Sequence, residues 1–223
     1  MNMKWSFDKI CLLFELGALG IVIYRRLVTG DRSLTIFVWL LLLTNVIEWG
    51  SLNKVFLIQH FKYSNNWIFN LFNPIEFGIY TSLYYSIMPG RKDRFAIVFL
   101  YFTYLVLSII NILFIQGLIF FDSYTFMFGC LLMVYCVSLY FKQIIRNPET
   151  TNIVRERFFW ISVGLLFFYT GDFLLMAFFE YFKSINDFPT FAPVFHFFSN
   201  LLNILLYTCL SISFFCKLRL RVT

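Results

Sequence analysis

Seven apolar runs, at about 7–24, 34–52, 67–88, 95–114, 124–141, 158–182 and 195–216, fill nearly the whole chain and are separated by short polar breaks. A hydrocarbon core about 30 Å thick is crossed by about 20 helical residues at a rise of about 1.5 Å each. In lipid every backbone group must be satisfied internally, which leaves helices or closed barrels. Uninterrupted runs of this length predict helices. The expected fold is all-α, a single polytopic transmembrane bundle of seven helices over residues 1–223. Only 13% of residues are charged, against roughly 25% in a soluble domain, so no soluble domain is expected beside the bundle.

The breaks carry ordinary stop signals. Pro89 and Gly90 end the third run, because proline cannot continue a helical hydrogen-bond ladder. Lys142 to Arg157, containing Asn147 and Pro148, reads as a loop. Asn186, Asp187, Pro189 and Pro193 read as a turn before the seventh run. The first run is followed by Arg25 and Arg26 without a small-residue cleavage site, so it is expected to stay in the protein rather than act as a signal peptide.

Charge predicts orientation. Arg25, Arg26, Arg32, Arg91, Lys92, Arg94, Lys142, Arg146, Arg155, Arg157, Lys217, Arg219 and Arg221 fall on one side of this layout, 13 of the 18 basic residues. Lys4, Lys9, Lys54, Lys62 and Lys183 fall on the other. By the positive-inside rule the N-terminus is outside and the C-terminus cytoplasmic. The net charge of +6 then expresses topology and attraction to anionic lipid, and no nucleic-acid partner is expected. The lipid bilayer is the expected partner.

Several chemistries lack their residues. The histidines are His60 and His196, and the five cysteines, Cys11, Cys130, Cys136, Cys209 and Cys216, have no metal-ligand spacing, so no metal site and no cofactor are expected. The cysteines read as small packing residues. There is no glycine-rich phosphate loop, nucleophile elbow or CxxC, and no lysine deep in the last run for a retinal Schiff base. The 32 Phe and 13 Tyr are first a matter of packing, with Trp5, Trp49, Trp67 and Trp160 expected at the interfaces.

Away from the ends of the runs lie four acids, Glu15, Glu48, Glu76 and Asp172, and no Lys or Arg sits at their depth. A carboxyl there must be protonated, hydrogen-bonded or facing water, and is by default a functional candidate. The third run, WIFNLFNPIEFGIYTSLYY from Trp67 to Tyr85, is the most polar. With the orientation above, Glu48, Asn70, Asn73, Glu76, Asp172, His196, Asn200 and Asn203 share the outer half. His196, Asn200, Asn203, Tyr207 and Ser211 recur at intervals of three and four, one helix face. The eight residues are the expected ligand-binding set of an outward-leaning pocket between the second, third, sixth and seventh runs. Helix-to-helix hydrogen bonding is the competing use for the same residue types. A short internal similarity, NLFN at Asn70 to Asn73 and NLLN at Asn200 to Asn203, suggests a parallel repeat of three helices, a linker helix and three more.

Two resemblances accompany these segments. GLLFFYTGDFLLM, Gly164 to Met176, is similar to the Gly-Asp helix of lysoplasmalogenase-type membrane proteins of the YhhN group, which implies Asp172 as a catalytic carboxylate acting on a lysolipid. FNPIEFGIY (Phe72 to Tyr80), FFWISVGLLFFYTG (Phe158 to Gly171) and NLLNILLY (Asn200 to Tyr207) resemble small seven-helix bacterial inner-membrane proteins, similar to modules found ahead of some histidine kinases. That resemblance implies a sensing or accessory role in the bacterial inner membrane.

Three readings stay open. The first is a module that binds a small molecule, a lipid or a proton and signals to a cytoplasmic partner protein. The second is a small proton-coupled transporter. The third is an intramembrane lipid hydrolase in which Asp172, Glu76 and Glu48 share acid and base roles.

Overall fold

The computed structural model describes residues 3–55, 64–146 and 152–216, with side chains from Phe7 onward. Seven long helices follow one another, α1 Met3–Thr29, α2 Thr35–Leu52, α3 Asn66–Ile87, α4 Arg91–Ile110, α5 Ser123–Arg146, α6 Arg157–Ser184 and α7 Phe188–Phe215. No strand occurs among the described residues. Five helices, α2 and α4 to α7, are long and apolar enough to cross a membrane. The protein is a multi-pass membrane protein. The two remaining helices carry the polar load: Asp8, Lys9 and Glu15 on α1, and Asn66, Asn70, Asn73 and Glu76 on α3.

Every run is a helix, and the helices outrun their apolar centres. The stretch from Lys142 is not yet loop, because α5 continues to Arg146, and Arg157 already begins α6. Pro189 and Pro193 likewise lie in α7 rather than in a turn before it. Pro189 occupies the first turn, where its missing N–H costs nothing, and Pro193 has no N–H to offer the carbonyl of Pro189 one turn earlier. Lys62, Lys217, Arg219 and Arg221 of the charge pattern, together with His60, Asn147 and Pro148, lie outside the described residues, as do the side chains of Lys4 and Trp5.

Packing closes a ring. α1 lies between α2 and α7, α7 packs on α6, α6 on α5, and α5 on α3 and α4; α3 returns to α2 through a thin seam. The α6–α7 contact is close because α6 offers glycines. A Cβ at Gly164 would stand 2.8 Å from the Cβ of Cys209, and one at Gly171 would stand 2.5 Å from Leu202. Small residues that let helices approach are how bundles gain van der Waals energy in lipid.

The midsection is aromatic and sealed. Phe77, Tyr80, Tyr84, Tyr104 and Tyr169 are each no more than 2% exposed. Phe77 meets Tyr104 edge-on at 5.1 Å and Tyr169 at 5.3 Å, and the Tyr84 hydroxyl shares a 2.8 Å hydrogen bond with Ser162 Oγ.

One end of the bundle is clasped by arginines. Arg157, at the start of α6, donates to Ser33 Oγ at 2.7 Å and to Asp31 Oδ2 at 2.9 Å. Arg25 of α1 donates to the Phe214 carbonyl of α7 at 3.1 Å, and Arg26 donates to Thr35 Oγ1 at 2.9 Å. Asp31 also accepts from the Ser33 backbone N–H at 2.9 Å, capping a 3-10 turn at Arg32–Leu34.

Candidate functional site

The opposite end is hollow. A cavity of about 580 Å³ opens among α2, α3, α6 and α7, within the roughly 300–1,000 Å³ range of small-molecule sites. Glu48 enters from α2, Asn73 and Glu76 from α3, Asp172 from α6, and His196 and Asn203 from α7. A second cavity of about 230 Å³ lies toward α1, and Glu48, His196, Ser199, Asn203 and Tyr207 line both. Asn200 belongs to the smaller one.

Helical periodicity makes this possible. Asn73 and Glu76 are three residues apart on α3, and His196, Ser199, Asn203 and Tyr207 follow one another at three or four on α7, so each set shares a face. The matching depths on α2 and α6 bring Glu48 and Asp172 to the same level.

The carboxyls form an electrostatic chain. Asp8 and Glu15 lie within range of Glu48, Glu48 of Glu76, and Glu76 of Asp172. Two members have protein partners: Asn200 Nδ2 donates to Asp8 Oδ1 at 2.7 Å, and the Tyr207 hydroxyl donates to Glu15 at 3.0 Å. The Tyr169 hydroxyl approaches Glu76 without reaching hydrogen-bond geometry. Among the described residues, none of Glu48, Glu76 and Asp172 is ion-paired with a Lys or Arg. Asn73, 5% exposed, lines the cavity, and its Nδ2 makes no hydrogen bond of ordinary length, although Asp122 is near it.

Asn70 departs from the expected set. Its Nδ2 donates to the carbonyls of Leu118 and Phe120, at 3.3 and 2.7 Å, and its Oδ1 accepts from Asp122 N–H at 3.1 Å. With both ends of the amide used, Asn70 holds the α4–α5 connection against α3 and does not line either cavity. Asp122 is fully buried in that connection; its Oδ2 accepts from Thr125 Oγ1 at 2.7 Å, and burial pushes its carboxyl up to about 6.

The NLFN and NLLN segments therefore do different work. Asn70 braces a loop, whereas its counterpart Asn200 braces Asp8.

The walls are aromatic, and the mouth holds a cation that the sequence reading placed only as a boundary charge. Phe69, Phe120, Phe168 and Phe195 are among the lining side chains. Lys183 Nζ stands 5.6 Å from the Phe120 ring centre and 5.7 Å from that of Phe179, and 3.5 Å from Glu180 Oε1. Glu180 also accepts a short hydrogen bond from Ser123 Oγ. A lysine at the end of an apolar run signals a membrane boundary, and only the fold brings Phe120 to it. Tyr207 and Ser199 also line the cavity; Tyr207 was legible as part of the α7 stripe. Among the described residues no group of three His, Cys, Asp or Glu side chains has metal-binding geometry.

Comparison with protein-family models, curated proteins and solved structures returns no match, so the assignment rests on this geometry.

Proposed function

We propose that this protein is a ligand-sensing module of a bacterial inner membrane, which takes a small molecule into the cavity from outside and passes a conformational change to a cytoplasmic partner. The observation that carries the reading is one cavity gathering Glu48, Glu76, Asp172 and His196 from α2, α3, α6 and α7. Several carboxyls that pair with no Lys or Arg among the described residues are costly in a membrane protein and mark functional sites.

Two further features favour sensing over passage. Below the cavity, Phe77, Tyr80, Tyr84 and Tyr169 close the midsection, so the polar lining does not continue through the bundle. α6 and α7 each run unbroken from the cavity to the arginine clasp, from Lys183 to Arg157 and from His196 to Phe214. A shift between them at one end reaches the other as a rigid-body displacement, the kind of interface change that signalling bundles use. Basic residues around the clasp would face the cytoplasm and its partner.

The test uses two thiols. Ser199→Cys puts one in the cavity, and native Cys216, partly exposed beside the clasp, supplies the other. A membrane-impermeant thiosulfonate should label the introduced thiol from outside in spheroplasts. Filling the cavity this way should then change the labelling rate of Cys216 in inverted vesicles. Labelling that leaves the Cys216 rate untouched would overturn the sensing reading, and labelling only from the cytoplasmic face would overturn the orientation.

A further inference from the structure

The lining has a chemical signature that narrows what fits inside. Three carboxyl groups, Glu48, Glu76 and Asp172, face a space whose walls hold eight phenyl rings, beside Lys183, His196 and the amides of Asn66, Asn73 and Asn203. Aromatic faces carry negative quadrupole potential and attract organic cations, and carboxyl groups that ionise beside a bound cation supply the countercharge. An anion would meet repulsion from both, and a neutral hydrocarbon would leave the carboxyls without partners.

An ammonium already sits at the entrance. Lys183 Nζ lies over both Phe120 and Phe179, two rings of the cavity wall, with Glu180 3.5 Å away. That is a cation held by aromatic faces and a carboxylate, provided by the protein's own chain. The Lys183 side chain is 43% exposed, so the cage opens to solvent, and the lysine is tethered there rather than buried. Inside, Asn73 offers a buried amide nitrogen with no hydrogen bond of ordinary length, its near neighbour being the Asp122 carboxyl.

We propose that the cavity binds an organic cation, a substituted ammonium with an apolar portion, which enters through the Phe120–Phe179 cage in place of the Lys183 ammonium. This inference rests on the ligand-cavity reading above and specifies its ligand class. Glu76 and Asp172 neutralise the charge, the phenyl walls take the apolar portion, and Lys183 acts as a tethered competitor that must swing aside.

The experiment uses the full chain in nanodiscs carrying Ser199→Cys, with each labelled site identified by mass spectrometry. Cationic trimethylammonioethyl and anionic sulfonatoethyl thiosulfonates compete for the introduced thiol, and Thr190→Cys, at an exposed position of α7, gives the reference ratio. The cation:anion rate ratio should exceed the reference at least tenfold. Benzyltrimethylammonium should protect the thiol, while neopentylbenzene, its neutral isostere, and benzenesulfonate should not. Glu76→Gln and Asp172→Asn should each weaken that protection at least tenfold, and Lys183→Met should strengthen it severalfold.

A rate ratio equal to the reference, or protection by the neutral or anionic probe as strong as by the cation, would overturn the cation assignment and leave the cavity as a ligand site. Failure of both reagents to reach the thiol in a protein that keeps its unfolding temperature would instead overturn the ligand-cavity reading. Should Ser199→Cys itself fail to fold, Thr44→Cys, which lines the same cavity, reports the same competition.

Discussion

The Arg157 guanidinium donates to Asp31 Oδ2 at 2.9 Å across 126 residues of sequence, tying the start of α6 to the turn between α1 and α2. Arg157 is 5% exposed at its side chain and Asp31 is 28% exposed. The pair is thus half-sheltered, stronger than a surface bridge and cheaper to form than a buried one.

Removing it should loosen the clasp without emptying the cavity. Asp31→Asn is expected to cost about 1–2 kcal/mol, the scale of a hydrogen bond to a charged group discounted for solvent. For a chain of this size that lowers the unfolding temperature by roughly 2–8 °C. Desolvation opposes ionised Asp31, but bonds from Ser33 and Arg157 outweigh it and hold its carboxyl below the usual range. Its stabilising contribution is therefore complete above the unfolded value of about 4 and lost as pH falls through the lower folded value. Thermal unfolding in detergent should show a loss of stability in that acid range that Asp31→Asn abolishes.

Asp122 titrates the other way. Burial raises its carboxyl to about 6, so between about 4 and 6 the folded protein binds a proton that the unfolded chain has released. Stability then falls as pH rises through that window. Asp122→Asn should flatten this slope, and a slope unchanged in the variant would show that Asp122 is not its source.

Close packing of α6 on α7 makes a third prediction. Gly164→Val places a branched side chain where a Cβ alone would stand 2.8 Å from Cys209. Overpacking of this kind costs about 1–3 kcal/mol. The paired change Gly164→Ala with Cys209→Gly should recover most of what Gly164→Val loses. Equal unfolding temperatures for parent and Gly164→Val would mean that the interface is looser than its geometry.

The helices and most of the cavity were legible because both depend on short-range rules. Length and apolarity place the helices, and residue spacing puts Asn73 with Glu76, and His196 with Asn203, on shared faces. Matching depth brought Glu48 and Asp172 to them. Asn70 shares that depth but is consumed by the Leu118 and Phe120 carbonyls, a contact that depends on how residues 116–122 fold back. Lys183 and Arg157 read as boundary charges for the same reason. Their partners Phe120 and Asp31 are distant in sequence, and nothing local identifies them. Pro193 reads as a stop because a proline's helical tolerance depends on its distance from the helix start.

The contrast between Asn70 and the cavity acids supplies the sharpest prediction. Groups that glue helices together destabilise when removed, whereas groups held for a ligand cost stability while they wait. Asn70→Ala deletes three hydrogen bonds to the α4–α5 connection and should destabilise by about 1–3 kcal/mol. Glu76→Gln and Asp172→Asn keep side-chain shape and remove acidic groups that lie within electrostatic range of one another. Each should leave the unfolding temperature unchanged or raise it, while weakening protection by benzyltrimethylammonium at least tenfold. A loss of stability in either acid variant comparable to that of Asn70→Ala would make these carboxyls interhelical ties, and the cavity would then be a packing defect rather than a receptor.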